Sequence, residues 1–87
     1  MNDTIAALAT APGQGGIAIV RLSGPESERI LSEIFRPAAG RHPLESHRLT
    51  YGHLVNGAGE HVDECMAVIM YAPRSYTRED VAEVQLH

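Results

Sequence analysis

Eighty-seven residues allow one domain at most, and a chain this short buries roughly 60–65% of its unfolded surface, enough for one core with little margin. With 44% hydrophobic residues, 21% charged residues and a formal charge of −4, the composition excludes a disordered tail. It offers no basic patch to follow a phosphate backbone, so direct nucleic-acid binding by this segment is not expected. A lone cysteine, Cys65, excludes an internal disulfide. Met1-Asn2-Asp3-Thr4 lacks the basic start of a secretion signal, and no apolar run reaches the roughly 18 residues of a membrane span. A cytoplasmic chain with no membrane contact is expected.

In chain order, Ile5–Ala9 is a short apolar run ahead of a loop, Ala11-Pro12-Gly13-Gln14-Gly15-Gly16. Ile17–Ser23 is predicted as a strand, with Ile17, Ile19, Arg21 and Ser23 on one face and Ala18, Val20 and Leu22 on the other. Ser23-Gly24-Pro25 then opens a predicted helix, whose core stripe is Ile30, Leu31, Ile34 and Phe35 and which Arg36-Pro37 ends. Residues 37–47 have the composition of a surface connection. Leu49–Val55 and Val62–Ala72 are predicted strands joined by the turn Asn56–Glu60, a hairpin. After a break at Pro73–Thr77, Val81–Leu86 is the last predicted strand, with Val81, Glu83 and Gln85 on one face. One helix, one hairpin and a succession of strands predict an α+β domain on a mixed or antiparallel sheet. Leu86-His87 lies inside a strand pattern without cap or turn, which reads as a domain cut short.

The loop Gly13-Gln14-Gly15-Gly16 invites a phosphate-binding reading, but such loops need a following helix to supply amide donors. A strand follows here, and no Gly-Lys-Ser/Thr is present, so a tight turn between strands is the expectation. His42, His47, His53, His61 and Cys65 lack the close pairing of zinc ligands, so no metal site is expected. Cys65, mid-strand beside Ala67 and Ile69, is expected to be a small buried thiol, and no catalytic residue is assigned. Arg21 and Glu83 are the informative pair, each a charge in an apolar strand row. The pattern leaves open a structural ion pair, two exposed edge positions, or a ligand-binding pair.

Two stretches carry a resemblance. Asp3-Thr4-Ile5-Ala6-Ala7-Leu8-Ala9-Thr10 with Gly13–Gly24, and Arg74-Ser75-Tyr76-Thr77-Arg78-Glu79-Asp80-Val81-Ala82-Glu83-Val84-Gln85-Leu86-His87, resemble the amino-terminal segment of the MnmE (TrmE) family of tRNA-modifying GTPases. Arg78 stands where that family usually has glycine. The resemblance implies a partial amino-terminal domain over residues 1–87, similar in fold to the folate-binding domains of one-carbon enzymes, with the family's helical and GTPase domains outside it. It further implies homodimerisation and the binding of 5-formyltetrahydrofolate or a related one-carbon folate, with Arg21 and Glu83 on two of the family's folate positions. For the parent protein it implies GTP hydrolysis with magnesium and potassium, and modification of carbon 5 of the wobble uridine of certain tRNAs with a flavin-dependent partner. With no lysine and no phosphate loop, the 87-residue chain itself is expected to be inactive on GTP. The alternatives are a folate-dependent aminomethyltransferase-like domain and a ligand-free structural dimerisation module.

Overall fold

The computed structural model describes residues 3–8, 18–73 and 79–86. Six strands and one helix follow in the order β1 (Ile5–Leu8), β2 (Ala18–Ser23), α1 (Ser27–Ile34), β3 (Phe35–Pro37), β4 (Thr50–Val55), β5 (His61–Met70) and β6 (Val81–Leu86). They form one sheet in the spatial order β1-β2-β6-β5-β4-β3. Each neighbouring pair is antiparallel, so of the two expected sheet types the antiparallel one is found. The last strand is therefore not at an edge. It lies between β2 and β5 and joins two halves of the sheet that the chain builds separately.

Register decides which side chains share a face. Leu22, Ala82 and Ile69 lie in one row and Val20, Val84 and Ala67 in the next. This face packs on α1, whose Leu31 is buried and whose Ile30 and Ile34 flank it, giving a single core with Phe35, Leu44 and Cys65. The helix sits there because its apolar residues recur at the spacing of one helical face.

The sequence reading of α1 needs two corrections. The helix begins at Ser27, not at Ser23-Gly24-Pro25, because Gly24 has φ 140°, outside the helical region, and its N–H is directed to the Asp80 carbonyl at 2.9 Å. Ser27 Oγ also donates to the Asp80 carbonyl, at 3.0 Å, and the Glu26 N–H donates to Thr4 Oγ1 at 2.9 Å. The helix also ends one residue early. Phe35, fully buried, leaves it with extended backbone and opens β3, pairing with Leu54. Its ring fills the core from a strand as it would have from a helix, so burial alone did not distinguish the two.

The connection after β3 is likewise less superficial than its composition implies. Leu44 is buried in the core, and the His47 N–H donates to the Ile69 carbonyl at 2.8 Å. The hairpin is present as expected, with Gly59 at φ 81° in its turn. Leu49 precedes β4 and is exposed, as is Tyr51, because the core-facing row of this strand is Gly52 and Leu54. The loop Gly13–Gly16 and the signature residues 74–78 lie outside the described residues, but the element that follows the glycines is the strand β2.

Gly52 marks a close backbone approach. A Cβ placed there would meet the Arg36 carbonyl oxygen and lie 2.6 Å from Phe35 Cζ. Neither neighbour can yield, since one is backbone and the other is the buried ring. Gly52→Ala is expected to destabilise the fold by about 3 kcal/mol or more, read as a lower urea midpoint, and an unchanged midpoint would disprove this packing.

At the other end of β5, the Tyr71 hydroxyl donates to Glu28 of α1. Burial, and then the bond to Glu28, push the phenol up to about 12. The folded state thus favours the neutral ring over an unfolded one that ionises near pH ~10. This stabilisation is complete below about pH 10 and is lost as the pH rises toward 12. Comparing urea unfolding at about pH 9 and about pH 11 is expected to show a smaller loss in Tyr71→Phe than in the parent chain.

Candidate functional site

Arg21 and Glu83 come together on the sheet face turned away from α1. They are direct cross-strand partners between β2 and β6, and the row continues through Ala7 on β1 and Val68 on β5. The adjoining row is Ile19, Gln85, Met66 and Tyr51. A charged pair thus stands in a largely apolar field, as the strand patterns of the sequence require.

Arg21 Nε donates to Glu83 Oε2 at 2.7 Å, and Nη2 lies 2.6 Å from the same oxygen. The Glu83 side chain is only 8% exposed, whereas that of Arg21 is 37% exposed. Glu83 is the one charged residue among the described residues that is buried. Burying a carboxylate without a partner is costly, so the adjacent guanidinium is a condition for placing Glu83 on an inner strand. Of the three arrangements open from sequence, exposed edge positions are excluded and the ion pair is realised. That pair and a ligand-reading role are compatible, because a paired carboxylate retains acceptor capacity.

The entry to β6 is anchored by Asp80, the residue before the strand. Asp80 Oδ1 accepts the Ala72 N–H at 2.9 Å, and the Asp80 carbonyl holds Gly24 and Ser27. Two grooves, of about 530 and 600 Å³, lie elsewhere, at the β3–β4 connection and beside Tyr71.

A second cluster was not read from the sequence. The rings of His53 and His61 stack at 4.3 Å and 9°, Tyr51 meets His53 edge-on, and the Tyr51 hydroxyl donates to Glu64 at 3.1 Å. A register shift between Leu54 and Val55 pairs Val55 with His61, which brings the two imidazoles side by side. Linear spacing could not have found this, because the bulge sets it. Among the described residues no group of three or more His, Cys, Asp or Glu side chains could hold a metal ion. Cys65 is buried in β5, as expected, and burial pushes its thiol up, away from the reactive thiolate.

The two partners of the ion pair differ in how they would tolerate its loss. Arg21→Ala leaves a buried carboxylate unpaired, while Glu83→Gln leaves a half-exposed guanidinium that water can reach. Arg21→Ala is expected to cost about 1–3 kcal/mol and Glu83→Gln less, measured as melting temperatures. The reverse order would show that Glu83 is not desolvated.

Comparison with known proteins adds the relatives. Residues 4–87 match the family model described as GTP-binding protein TrmE N-terminus. The chain is 56% identical over 88 residues to the tRNA modification GTPase MnmE of Chloroflexus aurantiacus, covering 100% of the chain and 19% of that protein. It is 56% identical over 86 residues to the protein of the same name from Syntrophotalea carbinolica, covering 99% of the chain and 19% of that protein. With the Geobacter sulfurreducens protein of that name it shares 53% identity over 88 residues, covering 100% of the chain and 19% of that protein. The chain thus spans about a fifth of the length of these relatives.

Proposed function

The chain belongs to the TrmE N-terminus family of GTP-binding proteins, and from that membership we propose that it is the folate-binding and dimerisation module of a GTPase that modifies tRNA. The observation that carries the reading is Glu83, a carboxylate buried in an apolar sheet face and held by Arg21. A folate pterin presents an amino group and a ring N–H on one edge, donors that a single carboxylate accepts together. The one-carbon folate is 5-formyltetrahydrofolate or a close relative. GTP hydrolysis, with its magnesium and potassium, belongs to parts of the parent protein beyond these 87 residues. The parent protein as a whole, with a separate flavin-dependent partner, modifies carbon 5 of the wobble uridine. The cellular setting of that work is the cytoplasm, and among the described residues no helix is long and apolar enough to cross a membrane.

Titration of 5-formyltetrahydrofolate into the protein as its gene encodes it tests the ligand. A charge-assisted hydrogen bond contributes ~1.5–3 kcal/mol, so Glu83→Gln and Arg21→Ala are each expected to weaken binding roughly 10- to 150-fold. Unchanged affinity in folded variants would remove Arg21 and Glu83 from the site, whereas no binding by the wild type would favour the second reading, a ligand-free structural module held by the same ion pair.

Dimerisation has a separate support. β1 is an edge strand, and its Ile5 and Leu8 are 65% and 70% exposed. Among the described residues this strand closes one side of the sheet, and an apolar edge favours association with a second copy. Sedimentation is expected to show a dimer at micromolar concentration, and a clean monomer there would rule this part out.

A further inference from the structure

Away from the strand rows that hold Arg21 and Glu83, positive charge and aromatic surface meet at the connection between β3 and β4. Residues 36–49 hold three of the 7 basic residues of the chain and, in Glu45, one of its 11 acidic ones. The chain carries −4 overall, yet this connection is locally positive. It borders the groove of about 530 Å³, a size that suits a small molecule. Arg41, Arg48, Leu49 and Tyr51 line that groove together with the buried Leu44.

No other described residue engages Arg41 by hydrogen bond or ion pair. Arg48 pairs with Glu45 at 3.0 Å, but the two side chains are 72% and 71% exposed, so an incoming anion displaces the carboxylate at little cost. Tyr51 is 46% exposed and fixed on two sides. Its hydroxyl donates to Glu64 at 3.1 Å, and the ring of His53, itself stacked on His61, meets it edge-on. A ring already held in place loses little freedom when a second ring covers it. Leu49, 47% exposed, adds apolar surface to the same groove. Guanidinium groups match phosphate oxygens in geometry as well as in charge.

We propose that this groove is a nucleoside-phosphate subsite, in which Tyr51 and Leu49 take the base and Arg41 and Arg48 take the phosphate. It goes beyond the folate reading and uses none of its residues. Two arginines suit one phosphate and do not follow a phosphate backbone, in keeping with the acidic balance of the chain. A free mononucleotide is therefore the expected source, and one nucleotide of an RNA strand offers the same chemistry.

The test is calorimetric titration of uridine monophosphate into the protein as its gene encodes it. Saturating GDP is present throughout, to occupy the GTPase site expected in the parent protein. Arg41→Ala/Arg48→Ala is expected to weaken binding at least about fivefold, and Tyr51→Ala roughly 5- to 150-fold. Tyr51→Phe keeps the ring and is expected to bind within about threefold of the wild type. Melting curves accompany every variant, and Tyr51→Leu replaces Tyr51→Ala if that chain does not fold. Uridine, which lacks the phosphate, is expected to bind the wild type more weakly than its monophosphate and to lose nothing when the arginines are removed.

A short oligouridylate separates the two sources. Affinity within about threefold of the mononucleotide marks a free nucleotide, and a gain of about tenfold or more that shrinks with added salt marks an RNA strand. Either result sustains the site. Absence of binding by the wild type at about 10 mM uridine monophosphate would overturn the proposal. So would equal affinity in the wild type and the double arginine variant.

Discussion

The arrangement depends on β6 being the inner strand that joins the two parts of the sheet. β1 and β2 pair with each other, and β3, β4 and β5 form a separate ladder. Among the described strands only β6, last in order, hydrogen-bonds to both. Its first four residues, Val81, Ala82, Glu83 and Val84, are all buried. A strand with both faces covered leaves no position where a charge can simply meet water, so Glu83 is the exception that the fold must accommodate. The accommodation is Arg21, placed directly opposite by the β2–β6 register.

The same closure explains why Asp80, the residue before β6, is held so firmly. Asp80 accepts from the Gly24 N–H and Ser27 Oγ with its carbonyl, and from the Ala72 N–H with its side chain. Gly24 has a conformation few other residues adopt, and a Cβ there would lie 2.7 Å from Thr4 Oγ1. The β2–α1 turn, the amino-terminal strand and the entry to β6 therefore meet at one point. β6 enters the sheet in a fixed register, and register decides whether Glu83 faces Arg21 or the hydrophobic core.

The ion pair stands between stability and function. A half-exposed arginine and a buried glutamate gain modestly from each other once desolvation is counted, and an apolar pair of similar volume would hold two strands together as well. Stability alone therefore does not single out a charged pair at these two positions. The relatives of the chain are named tRNA modification GTPases, and the chain spans about a fifth of their length.

Much of this was legible in the residues themselves. The alternation in β2 and β6 put Arg21 and Glu83 in apolar rows, the turn at Asn56–Glu60 announced the hairpin, and Cys65 had the setting of a buried thiol. These features are local, since periodicity and turn chemistry act over a few residues. Phe35 was misplaced because a buried aromatic satisfies the end of a helical stripe and the start of a strand equally well. Leu44 was missed because nothing in a proline-, glycine- and arginine-rich stretch shows that the chain folds back onto the core. The contact between Arg21 and Glu83, 62 positions apart, and the stacking of His53 on His61 belong to the tertiary structure. Sequence determined what each strand would present on each face. Only the insertion of β6 between β2 and β5, and the bulge between β4 and β5, decided which of those side chains meet, because strand order and register are set by long-range packing.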